Sequence, residues 1–248
     1  MTRFAFILGF MLLSLALLAE ERKVAFGMQI EPIIPSALFR ITTDEVRVGD
    51  ILFTAKPVPG FTYGAFLSFN INSRFSVETG INHLSRDYRV SVNDQDFSTS
   101  VQFRVVNFEM PLALTYYVRL GRKFYMGHTA GLSMQFLPSH LKAVSLEKDA
   151  AGDRVFSFEQ ISTRRYWLMP AFKGNIGIEY RSDDHGYFYI GPSYRLFTVL
   201  YRTQLYYFNG PKSVDIQNVE IKPIGDYFGI TIRYVFPPSE RIRPKKKD

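Results

Sequence analysis

The chain has no cysteine, a single tryptophan and only four histidines among its 248 residues. Without cysteine it can have no disulfide framework, no thiolate metal site and no cysteine nucleophile. His140 and His185 show no metal-ligand spacing, so neither a metal nor another cofactor is expected. Charged residues make up 21% and hydrophobic residues 46% of the chain, a balance that indicates neither disorder nor a bundle of membrane helices.

Long hydrophobic runs are also scarce, and the only one lies at the start of the chain. The segment from Phe4 to Leu18 is largely apolar but is shorter than the roughly 20 residues that a spanning helix needs. Arg3 precedes it, and Ala19 follows it just before two glutamates. This arrangement predicts a signal peptide over residues 1–19. The alternative is an N-terminal anchor that is not cleaved.

Aromatic residues are abundant, with 23 Phe and 15 Tyr, and most of them stand in segments that alternate with a period of two. Such alternation predicts β-strands. In each segment one face carries large apolar groups, whereas the other mixes Gly, Ser, Thr, Asn and charged residues. The eight segments are 23–31, 61–71, 75–82, 108–118, 124–136, 166–180, 188–196 and 227–236.

The length and polarity of these strands favour a membrane barrel over a soluble sandwich or a lipocalin-like barrel. Membrane strands need about 9 to 11 residues, whereas ordinary strands run to about 5 or 6. A membrane barrel turns its apolar side chains to lipid and its small or polar ones to the lumen. We therefore predict an all-β, eight-stranded antiparallel up-and-down transmembrane β-barrel over 20–236, followed by a basic tail over 237–248.

The connections between the predicted strands alternate between short and long. Short turns are predicted at 72–74, 119–123 and 181–186, and long segments at 32–59, 85–107, 137–164 and 198–226. Short periplasmic turns and long external loops are typical of outer-membrane barrels. The pattern predicts a protein of the Gram-negative outer membrane with both termini periplasmic. The long segments are either external loops or strands that extend the barrel above the membrane.

Aromatic residues at the strand ends predict two girdles at the membrane interfaces. The predicted girdle at the short turns contains Phe75, Tyr116, Tyr117, Phe124, Tyr125, Tyr180, Tyr187, Phe188, Tyr234 and Phe236. The girdle at the other rim contains Phe61, Tyr63, Phe136, Tyr166 and Tyr194.

Charged residues of both signs project into the predicted lumen. They are Glu31, Glu78, Glu109, Lys173, Glu179, Arg195 and Arg233. The interior of an eight-stranded barrel is just wide enough for its own side chains. We therefore expect these charges to pair and fill the lumen, which is a structural role rather than a transport role.

Two regions are candidate contacts for protein partners. The last long segment is rich in aromatic residues, and the tail carries a net positive charge; the candidates are Tyr201, Tyr206, Tyr207, Phe208, Arg241, Arg243, Lys245, Lys246 and Lys247. Aromatic surface loops often mark protein contacts, and a basic strip can bind an acidic partner or anionic lipid headgroups. The alternative interpretation of the tail is a solvated, disordered chain end that binds nothing. Outer-membrane lipid, including lipopolysaccharide, is also an expected partner, and nucleic acid is not.

An enzyme of lipid A modification is the alternative hypothesis. His83 and Ser85 are two residues apart, so they share one face of a strand, and that face is predicted to contact lipid. Asp87 and Asp96 are nearby in sequence. Neither aspartate is placed as the acidic member of a triad, and no oxyanion hole is evident. No catalytic activity is therefore expected.

Three segments resemble the Bacteroidota-type outer-membrane β-barrel family that includes PorT-like proteins. They are Phe108-Glu109-Met110-Pro111-Leu112 leading into Tyr116-Tyr117, Tyr189-Ile190-Gly191-Pro192-Ser193-Tyr194, and Gly229-Ile230-Thr231-Ile232-Arg233-Tyr234-Val235-Phe236. The resemblance covers most of the mature chain and implies a role in the outer membrane, in some members as an accessory component of type IX protein secretion. The tail beyond Phe236 departs from barrels that end at a terminal aromatic. We expect a non-enzymatic accessory subunit; the alternatives are a lipid A-modifying hydrolase and a stand-alone membrane-stabilising barrel.

Overall fold

The computed structural model describes residues 24–35, 43–94, 98–148, 154–182, 184–197, 201–212, 214–223 and 225–237. The predicted signal peptide and the five basic residues of the tail lie outside the described residues.

The described residues form thirteen strands. They are β1 (Val24–Pro35), β2 (Asp44–Val48), β3 (Ile51–Asn70), β4 (Phe75–Asn93), β5 (Ser98–Arg119), β6 (Phe124–Phe136), β7 (Leu141–Lys148), β8 (Arg154–Arg164), β9 (Leu168–Ser182), β10 (Gly186–Phe197), β11 (Tyr201–Asn209), β12 (Val214–Ile221) and β13 (Tyr227–Val235). Helical structure in these ranges is limited to the 3₁₀ turn Gly210–Lys212. None of it is long and apolar enough to cross a membrane.

Eight of these strands close into a ring. The order is β1, β13, β10, β9, β6, β5, β4 and β3, and β3 pairs with β1 to complete the circuit. All the pairings are antiparallel. The eight strands are those that the alternating segments predicted, so the eight-stranded antiparallel barrel is confirmed.

The barrel turns its apolar side chains outward, as the alternation in each strand requires. On β5, Leu112 is 63% exposed, whereas its chain neighbour Ala113 on the lumen side is 3% exposed. Short turns join the strands at one end, which we call the short-turn end. In one of these turns, Asn72 Oδ1 accepts hydrogen bonds from the backbone N–H groups of Arg74 and Phe75. This side-chain turn explains the tight reversal.

At the opposite end, which we call the long-loop end, the chain builds a second unit, the outer sandwich. Strand β2 and the outer halves of β3, β4 and β5 form one sheet, and β12, β11, β8 and β7 form the other. Apolar side chains fill the space between them; Phe53 meets Tyr207 edge-to-face, with ring centroids 6.2 Å apart. In their described parts, the long segments 32–59, 85–107, 137–164 and 198–226 are therefore largely strands, as the second interpretation expected. Only β3, β4 and β5 extend barrel strands, however, whereas β7, β8, β11 and β12 form a separate sheet.

The apolar side of β5 changes along its length. In the outer half Phe103 and Val105 point inward and are buried. In the barrel half Phe108 and Leu112 point outward and are exposed. The pairing of β5 with β4 keeps one register across this change, without a bulge. The change marks the level at which the surroundings of the strand are expected to pass from water to lipid.

Candidate functional site

The lumen holds the charged residues that the alternation assigned to it. Each of them is at most 5% exposed: Glu31, Glu78, Glu109, Lys173, Glu179, Arg195 and Arg233. Since a buried charge is costly without a partner, their contacts determine what the lumen can do. Six of them form ion pairs, as expected, whereas Lys173 makes no ion pair with a described residue. The ion pairs lie in two layers.

The central layer is built around Arg195. Its Nε lies 3.0 Å from Glu109 Oε1, and its Nη1 lies 3.3 Å from Glu31 Oε1. Both carboxylates also accept hydrogen bonds from neighbouring strands: Asn82 Nδ2 donates to Glu109 at 3.1 Å, and Thr231 Oγ1 donates to Glu31 at 2.6 Å. This layer therefore ties β1, β4, β5, β10 and β13 together across the lumen.

A second layer lies nearer the short-turn end. Arg233 Nη1 is 2.8 Å from Glu78 Oε2, and Thr115 Oγ1 donates to the same carboxylate at 3.1 Å. The Arg233 guanidinium also lies 5.0 Å from the ring centroid of Phe66 and 5.3 Å from that of Tyr189. Aromatic faces and a carboxylate thus surround this cation.

Three tyrosines that were predicted for the girdle lie inside the barrel instead. The Tyr117, Tyr125 and Tyr187 ring centroids lie 4.5, 4.0 and 5.3 Å from the guanidinium carbon of Arg181. Arg181 also pairs with Glu179 at 2.6 Å. Each of these tyrosines is adjacent in sequence to an aromatic residue that faces outward. Because neighbouring strand residues point to opposite faces, only one of each pair can join the girdle.

The upper end of the lumen is filled by a polar layer beneath the outer sandwich. Arg86 Nη1 donates to the Gly225 carbonyl at 2.8 Å, and its Nη2 donates to Asn107 Oδ1 at 3.2 Å. Asn107 in turn donates to Gln135 at 2.6 Å. The cavity at the short-turn end has a volume of only ≈ 60 Å³. The interior is thus packed with side chains at three levels.

Arg86, Asn107 and Gln135 are not among the site residues predicted from the sequence. Two of them lie in segment 85–107, which was predicted to be a connection between strands. A signal for them exists, because Arg86 is eight residues from Glu78, and Asn107 is two residues from Glu109. Even separations keep residues on one face of a strand. Extending the inward face beyond the predicted strand ends would have found both.

Outward-facing aromatic residues form contacts near both ends of the apolar belt. At the short-turn end, Phe75 and Tyr116 have ring centroids 5.0 Å apart, and Phe188 and Tyr234 have ring centroids 4.9 Å apart. At the long-loop end, the His83 ring stacks on Tyr63 with centroids 4.8 Å apart. Such rings are typical of the two interfaces of a membrane.

In the described part of the chain, no acid–base–nucleophile group is assembled at His83 and Ser85. His83 Nδ1 is buried and has no hydrogen-bond partner among the described residues. Asp87 is held by Arg104, whose Nε lies 2.9 Å from Asp87 Oδ1. Asp96 lies outside the described residues. In the described ranges there is also no cluster of His, Cys, Asp and Glu that could hold a metal ion.

The four aromatic residues proposed as partner contacts lie on β11 and face two directions. Tyr201 and Tyr207 are each 1% exposed and belong to the core of the outer sandwich, so their rings cannot form an external contact surface. Tyr206 and Phe208 lie on the outer face of the same sheet, beside a groove of ≈ 200 Å³. Because only Tyr206 and Phe208 face outward, the aromatic face is half as large as the sequence indicated. The burial of Tyr201 also raises the pKa of its hydroxyl to about 12.

The chain is similar to solved structures of outer-membrane barrels. The outer membrane protein OprG from Pseudomonas aeruginosa is 13% identical, with a TM-score of 0.51, and the alignment covers 89% of this chain and 99% of that one. At this identity the similarity shows the fold alone. The β domain of the Bordetella autotransporter BrkA, 8% identical with a TM-score of 0.29 over 87% of this chain and 99% of that one, is too distant to support an argument. No protein-family model and no curated protein matches the chain.

Proposed function

We propose that the protein is a closed, non-enzymatic barrel of the Gram-negative outer membrane that acts as an accessory subunit and binds a protein partner at its outer sandwich. The observation that carries this proposal is that β5 and β7 each have, among the described residues, an edge without a ladder partner at the long-loop end, beside a barrel whose lumen is filled.

The apolar belt supports insertion into a membrane. Large apolar side chains are exposed around the whole ring, for example Ile30 at 43%, Ile81 at 60%, Leu132 at 57% and Ile190 at 55%. A surface of this kind is far larger than the apolar patch of a few hundred Å² that a soluble monomer exposes. Lipid would cover it, and the aromatic contacts at its two ends would lie at the interfaces.

The filled lumen argues against a channel. Among the described residues five acidic side chains are buried in the chain, namely Glu31, Glu78, Glu109, Glu179 and Asp226. Four basic side chains, Arg86, Lys173, Arg195 and Arg233, are buried as well, and the half-buried Arg181 makes the two signs equal. Charges that neutralise one another in a packed interior offer no path to an ion.

The strand edges support a polypeptide ligand. From Ser98 to Asn107, strand β5 pairs with β4 on one side, and on the other side it pairs with no strand in the described part of the chain. Strand β7 likewise pairs with β8 alone. The two edges run beside each other because β6, after Phe136, leaves β5 and continues as β7 in the other sheet. An extended segment of a partner can add a strand to such an edge.

The surface around these edges has the composition of a protein contact. Val144 and Leu146 of β7 are 50% and 48% exposed on the outer face. Their ladder partners on β8, Glu159 and Ser157, line the groove at Tyr206 and Phe208. Natural proteins protect free edges with charges or proline, and β5 has neither between Ser98 and Phe103. A bound partner would provide that protection instead.

The proposal extends to a role in a type IX-like protein secretion assembly, which the PorT-like resemblance supports, with both termini in the periplasm and the outer sandwich outside the cell. The experiment is affinity purification of the tagged full chain from native outer membranes in mild detergent, followed by mass spectrometry. We expect a stoichiometric protein partner. It should be lost from Val144→Lys with Leu146→Lys, because charges on this face disfavour strand addition.

The matched control is Arg202→Gln with Lys222→Gln, which changes two exposed side chains on the β11–β12 side of the same sheet, away from β7. It should retain the partner. A clean monomer, or equal recovery from all variants, would contradict the accessory role. In the same strains Ser85→Ala should leave the acylation of lipid A unchanged; loss of a modification would instead support the hydrolase hypothesis.

A further inference from the structure

Three basic side chains stand together on the outer surface of β3, β4 and β5, just beyond the aromatic end of the belt. Lys56 and Arg89 are direct partners in the antiparallel ladder of β3 and β4. Arg104 lies on β5, opposite Asp87 and one row nearer the belt. Lys56 and Arg89 are exposed, and the Arg104 side chain is 67% exposed. Arg89 therefore has Cβ neighbours on both adjacent strands, at about 5 Å for Lys56 and about 7 to 8 Å for the diagonal Arg104, while Lys56 and Arg104 are about 10 Å apart. Long side chains in these positions can still converge on one ligand from either side of Arg89.

The charges in this cluster are not balanced. Arg104 pairs with Asp87, through Nε–Oδ1 at 2.9 Å and Nη2–Oδ2 at 3.2 Å. Lys56 and Arg89 form no ion pair with any described residue. Like charges directly opposite each other in a ladder are destabilising. An anion that bridges the two would remove this repulsion.

Other exposed basic residues of the outer sandwich differ from this cluster. Arg202 and Lys222 both lie near Glu220, at 3.4 and 3.7 Å. Lys142 pairs with Glu159 at 2.6 Å. Each of these three cations has an acidic neighbour within the chain. Arg47 of β2 is exposed and has no ion pair with a described residue, but it lies opposite Leu52, so only Lys56 and Arg89 among these residues are two unpaired cations facing each other.

The cluster lies just above the headgroup region of a membrane, within reach of its long basic side chains. Phe61, the last exposed aromatic on the outer face of β3, pairs with Ser85 of β4, and Arg89 lies four residues farther along that strand. At about 3.3 Å per residue and a tilt of about 40°, this is roughly 10 Å above the apolar belt. The headgroup region of each leaflet is roughly 5 to 8 Å thick, and long basic side chains bend toward it.

We propose that Lys56, Arg89 and Arg104 bind the phosphate group of an anionic lipid headgroup. Asp87 holds the Arg104 guanidinium in place, and Lys56 and Arg89 supply the two charges that the phosphate neutralises. The site rests on the proposed insertion of the barrel in a membrane, but not on a protein partner. It would fix one lipid to this side of the barrel.

The test is native mass spectrometry of the purified full chain in detergent, titrated with phosphatidylglycerol or phosphatidylcholine of equal chain length. The variant Lys56→Gln with Arg89→Gln should bind phosphatidylglycerol roughly 30-fold more weakly, as expected for two basic residues near a lipid surface. Its affinity for phosphatidylcholine should not change. The control Arg202→Gln with Lys222→Gln should bind both lipids like the parent protein, and Arg89→Lys should retain phosphatidylglycerol.

Further arms identify the source of the anion and separate this site from the proposed function. Inorganic phosphate at millimolar concentration should not displace the lipid; displacement would overturn the assignment to a headgroup. Equal phosphatidylglycerol affinity in the double variant and the parent would overturn the site. Insertion is measured separately, by protease protection in phosphatidylcholine vesicles. A chain that fails to insert contradicts the membrane barrel, whereas one that inserts without the expected loss contradicts only this site.

Discussion

Replacement of Arg195 by methionine tests whether the lumen is held by charge pairing. Arg195 is 0% exposed and lies between Glu109, also 0% exposed, and Glu31, at 1%. Arg195→Met keeps a long apolar side chain but leaves two buried carboxylates without their cation. Removal of one partner of a buried pair costs about 3 to 5 kcal/mol. With a urea slope of about 2 kcal/mol per M, the unfolding midpoint should fall by about 2 M.

Trp167 provides the assay, because it is the only tryptophan in the chain and lies at the long-loop end of the belt with 60% exposure. Its fluorescence should report unfolding in urea from detergent micelles. The further variant with Glu31→Gln and Glu109→Gln added should recover most of the loss, because neutral amides no longer need a cation. The control Arg202→Met should change the free energy of unfolding by less than about 1 kcal/mol.

Two results would refute this reasoning. If Arg195→Met unfolds at the same urea concentration as the parent protein, the charges do not hold the lumen together. If the triple variant is as unstable as the single one, the loss comes from the packing of the guanidinium rather than from unpaired carboxylates.

Three further predictions follow from the same structure. Gly131→Ala should destabilise the barrel by about 1 to 3 kcal/mol in the same urea assay, because its Cβ would collide with the main chain of Leu112 and Ala113, whereas Gly174→Ala, with open space around it, should be neutral. Burial raises the pKa of Tyr201 from 10.0 to about 12, so its contribution to stability is complete below pH 10 and is lost as the pH rises to about 12. Near-UV circular dichroism should show this alkaline loss, and Tyr201→Phe should weaken its pH dependence. In planar bilayers the purified barrel should give no steady conductance; open steps would contradict the filled lumen.

The sequence was sufficient for the barrel because lipid and lumen impose opposite demands on alternate residues. Glu109 and Leu112, for example, can be assigned to opposite faces by parity alone. The outer sandwich was harder to predict. Val101, Phe103 and Val105 alternate as well, but these apolar residues have odd numbers and face inward. From Phe108 onward the large apolar residues have even numbers and face outward. The sequence predicts this change of the apolar face if one strand is allowed to pass from water into lipid.

Other features depend on contacts between strands that are distant in sequence, so no local pattern predicts them. Tyr207 is buried because β8 and β3 meet it from two sheets, as its contacts with Phe156 and Phe53 show. The open edges of β5 and β7 arise from the exchange of sheets after Phe136, which is a property of the topology.

The unbroken strand β5 also has a mechanical consequence. The strand has 22 residues and is roughly 75 Å long at about 3.4 Å per residue. It pairs with β4 in one register, from the pair Asn93 and Ser98 at the outer tip to the pair Phe75 and Tyr116 at the short-turn end. A lateral force on the outer tip would not be absorbed by a hinge, because no loop separates the two units along this hairpin. The load would pass as shear through the ladder and tilt the barrel as a whole. The hairpin would thus serve as a lever arm by which a partner outside could turn the barrel in the membrane.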